Sequence, residues 1–294
     1  MTFSNGAFGI DHPLITVRDL DGAAEKLEKI GFVMTPRGKH PWGTHNRLGL
    51  FPGGLVELMT VGEPELVGSN TVDHQLFGTL VQAFQSRHEG ICMMALHSRD
   101  LDADVVTARA NGVEVTGLID FRRPVTLPDG TDDVAVVSLA MLVDRQHPQL
   151  SVFLCQQHKR GLVEVPAWRD HPNGAERFAG WILLDDGSGA ALRRAEKLWK
   201  KKKSPERWSL ETFSTAGGFV DIVDREGFSA RFPNVAMKWA MMQRAPCAVG
   251  ISVKVRSLEM AAAFCREVPD VHFMSDRILI PPSYVGDTVI ELRE

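Results

Sequence analysis

An imidazole at His12 and a carboxylate at Glu57 each stand inside an apolar, β-prone run, Ile10-Asp11-His12-Pro13-Leu14-Ile15 and Leu55-Val56-Glu57-Leu58-Met59. A hard or borderline divalent ion such as Fe(II), Mn(II), Ni(II) or Zn(II) accepts imidazole and carboxylate together. An ionised carboxylate in an apolar strand is costly unless paired or liganded, which sets Glu57 apart. By residue type alone, a strand histidine is more often a hydrogen-bonded core or surface residue, and alternation could turn Glu57 to solvent. Between the two runs lies the dense segment Arg37-Gly38-Lys39-His40-Pro41-Trp42-Gly43-Thr44-His45-Asn46-Arg47. Trp42 could stack on a ligand, Thr44 and Asn46 could hydrogen-bond it, and His40 or His45 could fold over a cleft as further ligands. The competing reading is a tight turn whose Asn46 satisfies loose backbone groups.

The elements that must position these residues follow from local pattern. Pro13 confines the first strand to an edge or a strand start. Asp19 is a good N-cap; Leu20, Ala23, Ala24, Leu27 and Ile30 have helical spacing, and Gly31 is the stop. Phe32 to Thr35, Leu48 to Phe51 and Leu55 to Met59 read as three further strands. The order is β-α-β-β-β over about 9–61.

This pattern repeats, and repeats decide architecture. Arg99-Asp100-Leu101-Asp102 copies Arg18-Asp19-Leu20-Asp21 and opens a second module over about 90–156. A third spans about 180–224 and a fourth about 247–294, where Val289-Ile290-Glu291-Leu292 echoes Leu55-Val56-Glu57-Leu58. The expected fold is α+β: two domains, each of paired β-α-β-β-β modules forming curved mixed sheets around a cleft. The first domain covers 1–160 with a connecting helix over about 73–85, a linker runs over 161–179, and the second domain covers 180–294. His171-Pro172-Asn173-Gly174 in the linker reads as a structural turn.

A net charge of -4 gives no basic footprint, so nucleic acid is not an expected partner. The run Lys200 to Lys203 is read as the solvated end of a helix. Cys92, Cys155, Cys247 and Cys265 have no CxxC spacing and read as buried thiols. No apolar run approaches the roughly 20 residues that cross a bilayer, and no signal peptide is evident. A cytoplasmic protein is the default expectation.

The runs Ile10-Asp11-His12, Asp19-Leu20-Asp21-Gly22-Ala23-Ala24, Gly31-Phe32, Arg37-Gly38-Lys39-His40, Trp42-Gly43-Thr44-His45-Asn46 and Leu55-Val56-Glu57-Leu58 together resemble the glyoxalase-like branch of the vicinal oxygen chelate superfamily. His171 to Ala175 adds to the likeness, and the last two modules agree only in pattern. The resemblance implies metal ligands at His12 and Glu57, with Glu57 also serving as a base. It implies a metal-dependent lyase, isomerase or dioxygenase acting on a small molecule with adjacent oxygens. The alternative it offers is a metal-free protein that binds and sequesters a small molecule. In a further alternative the C-terminal pair is a dimerisation or packing unit, giving a homodimer.

One departure bears on this choice. Laying the second module on the first puts Met93 opposite His12 and Phe153 opposite Glu57, which would line that half of the cleft with apolar side chains. The third module offers Ala179 or Gly180 with Asp221, and the fourth Gly250 with Glu291. His97 lies four residues beyond Met93, roughly 13 Å further along a strand at ~3.3 Å per residue, too far to share an ion.

Overall fold

The computed structural model describes residues 8–68, 75–199, 202–203, 209–233, 235 and 244–294. The expected helix start at Asp73 and two members of the lysine run, Lys200 and Lys201, lie outside them.

The first module runs β1 (Gly9–Thr16), α1 (Leu20–Lys29), β2 (Gly38–Lys39), β3 (Thr44–Phe51) and β4 (Gly54–Val61). After α2 (Gln75–Gln85), the second runs β5 (Gly90–Ser98), α3 (Leu101–Ala110), β6 (Gly117–Thr126), β7 (Asp132–Leu142) and β8 (Val152–Gln157). These eight strands make one mixed sheet in the order β2-β3-β4-β1-β5-β8-β7-β6. Within each module the first and last strands are parallel, and the modules meet through the antiparallel β1–β5 pair.

The second domain repeats the plan. It comprises β9 (Ala175–Leu184), α4 (Ala190–Leu198), β10 (Lys202–Lys203), β11 (Glu211–Ser214), β12 (Phe219–Val223), α5 (Arg225–Arg231), β13 (Cys247–Val255), α6 (Leu258–Cys265), β14 (His272–Phe273), β15 (Ile278–Ile280) and β16 (Val289–Arg293). Its sheet order, β10-β11-β12-β9-β13-β16-β15-β14, is the same permutation. The fold is α+β, as expected. β9 opens at Ala175, so the stretch expected as linker over 161–179 ends inside a strand.

The repeated Arg-Asp-Leu-Asp has a physical basis. Asp19 accepts from the Gly22 amide at 3.0 Å and Asp100 from the Ala103 amide at 3.1 Å, so each copy caps the helix after its first strand. Leu20, Ala24 and Leu27 of α1 then reach the same apolar core as Val105 and Ala108 of α3. That core also holds Trp181, Leu183, Val220 and Ile222 of the second sheet, so the two domains share it. The opposite face of the first sheet carries a separate cluster around Leu14, Trp42, Phe77, Met93, Phe121 and Phe153.

Phe32 to Thr35 does not form the expected strand. Only Thr35 makes a rung, donating its amide to the Leu48 carbonyl at 2.8 Å. The Val33 amide is instead taken by His171 Nδ1 at 2.9 Å. His171 Nε2 donates to the Leu50 carbonyl at 2.8 Å, which makes the ring a neutral bridge from the interdomain segment to β3. Asn173 works beside it, donating to the Ile30 carbonyl at 2.8 Å and accepting from the Ala175 amide at 3.0 Å. Both side chains are buried. Asn173→Ala should therefore cost about 2 kcal/mol through two orphaned backbone groups, read as a lowered midpoint in urea; an unchanged midpoint would show the turn is not a clamp.

Candidate functional site

The site begins with an irregularity in β1. Ile10 pairs with Leu96 and His12 with Ala95, leaving Asp11 as an extra residue opposite nothing. A bulge of this kind suspends the alternation of side chains and re-aims them. Asp11 and His12, neighbours that a regular strand would point to opposite faces, are thereby brought into contact, with His12 Nδ1 donating to Asp11 Oδ1 at 2.8 Å. His12 Nε2 stands 3.3 Å from Glu57 Oε2. Asn46 pairs with Met59 across the β3–β4 ladder, two residues from Glu57 on the same face. From that diagonal position its Nδ2 donates to Glu57 Oε1 at 2.6 Å.

The result is a buried chain, Asp11–His12–Glu57, with Glu57 only 6% exposed and His12 4%. Burial alone would lower the His12 pKa; the bonds to the two carboxylates outweigh it and raise it to about 9. Burial would likewise raise Glu57, but His12 and Asn46 hold it below the usual carboxylate range. Burial would raise Asp11 too, but its hydrogen bonds with His12 and His97 hold it below the usual range. At neutral pH the chain is therefore carboxylate, imidazolium, carboxylate.

It forms one end of a cavity of about 360 Å³ whose lining includes His12, His40, Trp42, Asn46 and Glu57. Phe77, Phe121, Val137, Leu139 and Met59 give its wall apolar surface, beside polar side chains that include Thr35, Thr126 and Gln157. His40 stacks on Trp42 with centroids 5.0 Å apart, and its Nδ1 meets Thr44 Oγ1 at 3.0 Å. Burial pushes the His40 pKa down to about 4, leaving a neutral ring at pH 7.

Four residues expected to touch a ligand are placed otherwise. Alternation along β3 turns His45 away from the cavity, where Nδ1 meets Arg37 Nη1 at 3.1 Å and Nε2 lies 3.4 Å from Glu63. Thr44 supports His40 instead of lining the cavity. Met93 and Phe153 pack into the apolar cluster beneath it, Phe153 with its ring edge-on to His12 at 5.8 Å.

Three contributors were not anticipated. Asp11 depends on the bulge, which no residue pattern announces. His97 sits opposite Gly9 across the β1–β5 pair, and its Nδ1 reaches Asp11 Oδ2 at 3.0 Å, buttressing that carboxylate from behind. Arg123 joins the cavity from β6, two residues after Phe121 and on the same face. The period-two pattern of Phe121, Arg123 and Val125 was the available signal.

Strand registers identify equivalent positions in all four modules. Leu14 pairs with Glu57, Ala95 with Phe153, Ile182 with Asp221 and Ser252 with Glu291. Two residues earlier on each first strand stand His12, Met93, Gly180 and Gly250. The second domain thus keeps both carboxylates and neither imidazole. Arg231 of α5 fills the gap: Nη1 donates to Asp221 Oδ2 at 2.6 Å and Nη2 to Glu291 Oε2 at 2.9 Å. Thr212 and Arg277 complete the shell, and all five side chains are buried. Phe228 of α5 and Phe232 just beyond its end belong to the apolar cluster of this domain, and Arg231 and Arg277 themselves line a separate pocket there.

Whether the first domain fits a resident divalent ion can be judged from its donors. His12 Nε2 and Glu57 Oε2 face one point, but among the described residues no group of three His, Cys, Asp or Glu side chains is placed to hold an ion. Catalytic centres of zinc, for comparison, use three protein ligands and an open position. The side chains present do not fit a resident metal.

Paired modules in this permutation define the vicinal oxygen chelate superfamily. Within it, the chain belongs to the glyoxalase-like domain family, whose profile matches residues 10–202. Among solved structures it is similar to a hypothetical protein from Staphylococcus aureus, with a TM-score of 0.65, 12% identity, and coverage of 97% of this chain and 98% of that one. It is also similar to a mutant of 4-hydroxymandelate synthase from Streptomyces coelicolor, with a TM-score of 0.56, 13% identity and coverage of 98% and 93%. A xylose isomerase-like TIM barrel/4-hydroxyphenylpyruvate dioxygenase fusion protein matches at a TM-score of 0.55 and 13% identity, over 98% of this chain and 49% of that one. At these identities the likeness is one of fold. No curated protein matches the chain by sequence.

Proposed function

We propose that the N-terminal cleft binds a small molecule, holding a polar end at His12, Asn46 and Glu57 and an apolar body against Trp42, Phe77 and Phe121. The observation that carries this reading is the ion-paired His12 and Glu57 in the wall of a ligand-sized cavity that Trp42, Phe77 and Phe121 also line. General acid–base catalysis by this pair is less well supported. An effective base has a pKa near the operating pH, whereas Glu57 is held low and His12 stands at about 9.

One observation favours a second reading, in which the cleft acts on a molecule with adjacent oxygens. Asp11 on His12 Nδ1 and Asn46 on Glu57 Oε1 orient the two remaining donor atoms toward each other at 3.3 Å, as supporting partners orient ligands in metal sites. A chelating ligand would then have to supply the donors that the chain lacks.

Metal analysis separates the two. After reconstitution with Fe(II), Mn(II), Ni(II) or Zn(II) and dialysis, the binding reading expects no stoichiometric ion, with or without acetohydroxamate as a probe bearing two adjacent oxygens. One ion per chain retained only with the probe, and lost in both His12→Ala and Glu57→Ala, would establish the second reading. For the first, a small molecule released on denaturation and identified by mass spectrometry should disappear from Trp42→Ala. Retention undiminished in that variant would move the binding site elsewhere.

A further inference from the structure

Arg123 is the residue of the cavity for which the protein itself offers no use. It is half-buried, lines the cavity from β6, and makes no hydrogen bond or ion pair among the described residues. The other basic side chains in the lining are engaged: Arg37 with Asp21 at 2.6 Å and Lys39 with Glu63 at 2.5 Å. Glu57, the carboxylate of the lining, already has His12 and Asn46 on its oxygens. A guanidinium offers five N–H donors in a planar fork, and removing them from water without partners is unfavourable. Burial indeed depresses the Arg123 pKa, with Glu57 acting against it only at a distance.

The site also makes room for this group. A Cβ at Gly38 would stand 2.6 Å from Arg123 Nη1 and 2.5 Å from Asn46 Oδ1, so β2 passes the fork as bare backbone. Proline follows at 124, where β6 is the outermost strand and needs no further donor. The arrangement keeps a forked cation in the wall of a cavity whose carboxylate already has partners on both of its oxygens.

We propose that the molecule held in this cleft is a carboxylate, its two oxygens received by the Arg123 fork. This deepens the binding reading above and rests on it. One planar fork matches one planar carboxylate through two parallel bonds. A phosphate monoester, with three oxygens and nearly two charges, would call for more donors than one free guanidinium supplies.

The test uses three probes that each carry one phenyl ring, 3-phenylpropionate, 3-phenylpropionamide and phenyl phosphate, titrated into the full chain by calorimetry and thermal shift. The carboxylate should bind wild type about 10- to 100-fold more tightly than the amide, the range that a charge-assisted pair provides. Arg123→Gln should bind carboxylate and amide alike, at the level of wild type with the amide. Its melting temperature without ligand should equal or exceed that of wild type, since a cation without a partner contributes nothing to the fold. Equal affinity of wild type for carboxylate and amide would overturn the proposal and leave the cleft reading standing, because both probes bind. Selectivity surviving in Arg123→Gln, tighter binding of phenyl phosphate, or a destabilised Arg123→Gln would overturn it as well. Failure of all three probes to bind at millimolar concentration would remove the binding reading, and the carboxylate with it.

Discussion

Raising the pH from 6.5 to 9 should cost the protein about 3 kcal/mol of folding stability through His12 alone. The His12 pKa is about 9 in the folded chain against an ordinary 6.5, so the folded state binds this proton more tightly than the unfolded one. A raised pKa contributes stability that is fully present below 6.5 and is lost as pH climbs through 9. The carboxylates work in the opposite sense. Asp11 and Glu57 are lowered, so their contribution is complete above their ordinary values near 4 and falls away as the solution is made more acid. Stability from this chain of charges therefore has its plateau between about pH 4.5 and 6.5. Urea unfolding at half-unit pH steps would reveal it, with His12→Gln as the control. That variant leaves two buried carboxylates with no cation between them, so it should be several kcal/mol less stable at pH 6 and should lack the loss between 6.5 and 9. A variant with the same alkaline slope as wild type would show that His12 is not the titrating group.

Arg231→Met should also be damaging, costing about 3–5 kcal/mol, because it strands Asp221 in the interior without a counter-charge and leaves Glu291 with Arg277 alone among its buried cations. Burial would weaken proton binding at Arg231, and the two carboxylates reverse that, so the guanidinium stays charged throughout the accessible pH range. The informative comparison is Arg231→Met combined with Asp221→Asn and Glu291→Gln. Replacing a buried ionic cluster by neutral groups of similar volume is often close to neutral, so most of the loss should be recovered. Thermal melts of the single and triple variants measure both effects. If the triple variant is no better than the single one, the damage comes from packing beside Phe228 and Phe232 and not from the stranded charge.

The two networks share one equivalent strand position, Glu57 in the first domain and Asp221 in the second. In the second domain the Arg231 guanidinium stands between Asp221 and Glu291. In the first, the His12 imidazolium stands between Asp11 and Glu57 and lines a cavity. The place of Arg231 could not have been read from the residues: it lies ten positions from Asp221 and sixty from Glu291, on a helix whose docking depends on the sheet. Asp221 and Glu291 themselves were legible, since their strands echo Leu55 to Leu58.

A similar division runs through the candidate site. By itself the sequence determined the repeated modules with their first and last strands, the helices capped by Asp19 and Asp100, and the meeting of His12 with Glu57 on neighbouring strands. It also placed apolar Met93 and Phe153 where a second pair of donors would have stood. Each of these depends on the period of a strand, the chemistry of a helix cap or the repetition of a short motif, and such signals are complete within about ten residues. Only the tertiary structure decided that Asp11 turns beside His12, that His97 buttresses it from β5, that His45 faces away, and that Arg123 enters from the far edge of the sheet. The reason is register: one extra residue in β1 reverses which side chains share a face, and strands β1 and β6 are brought around one cavity by pairings across three others. The partners of His12 are set by that pairing, and so is the place of Arg123 in the cavity wall.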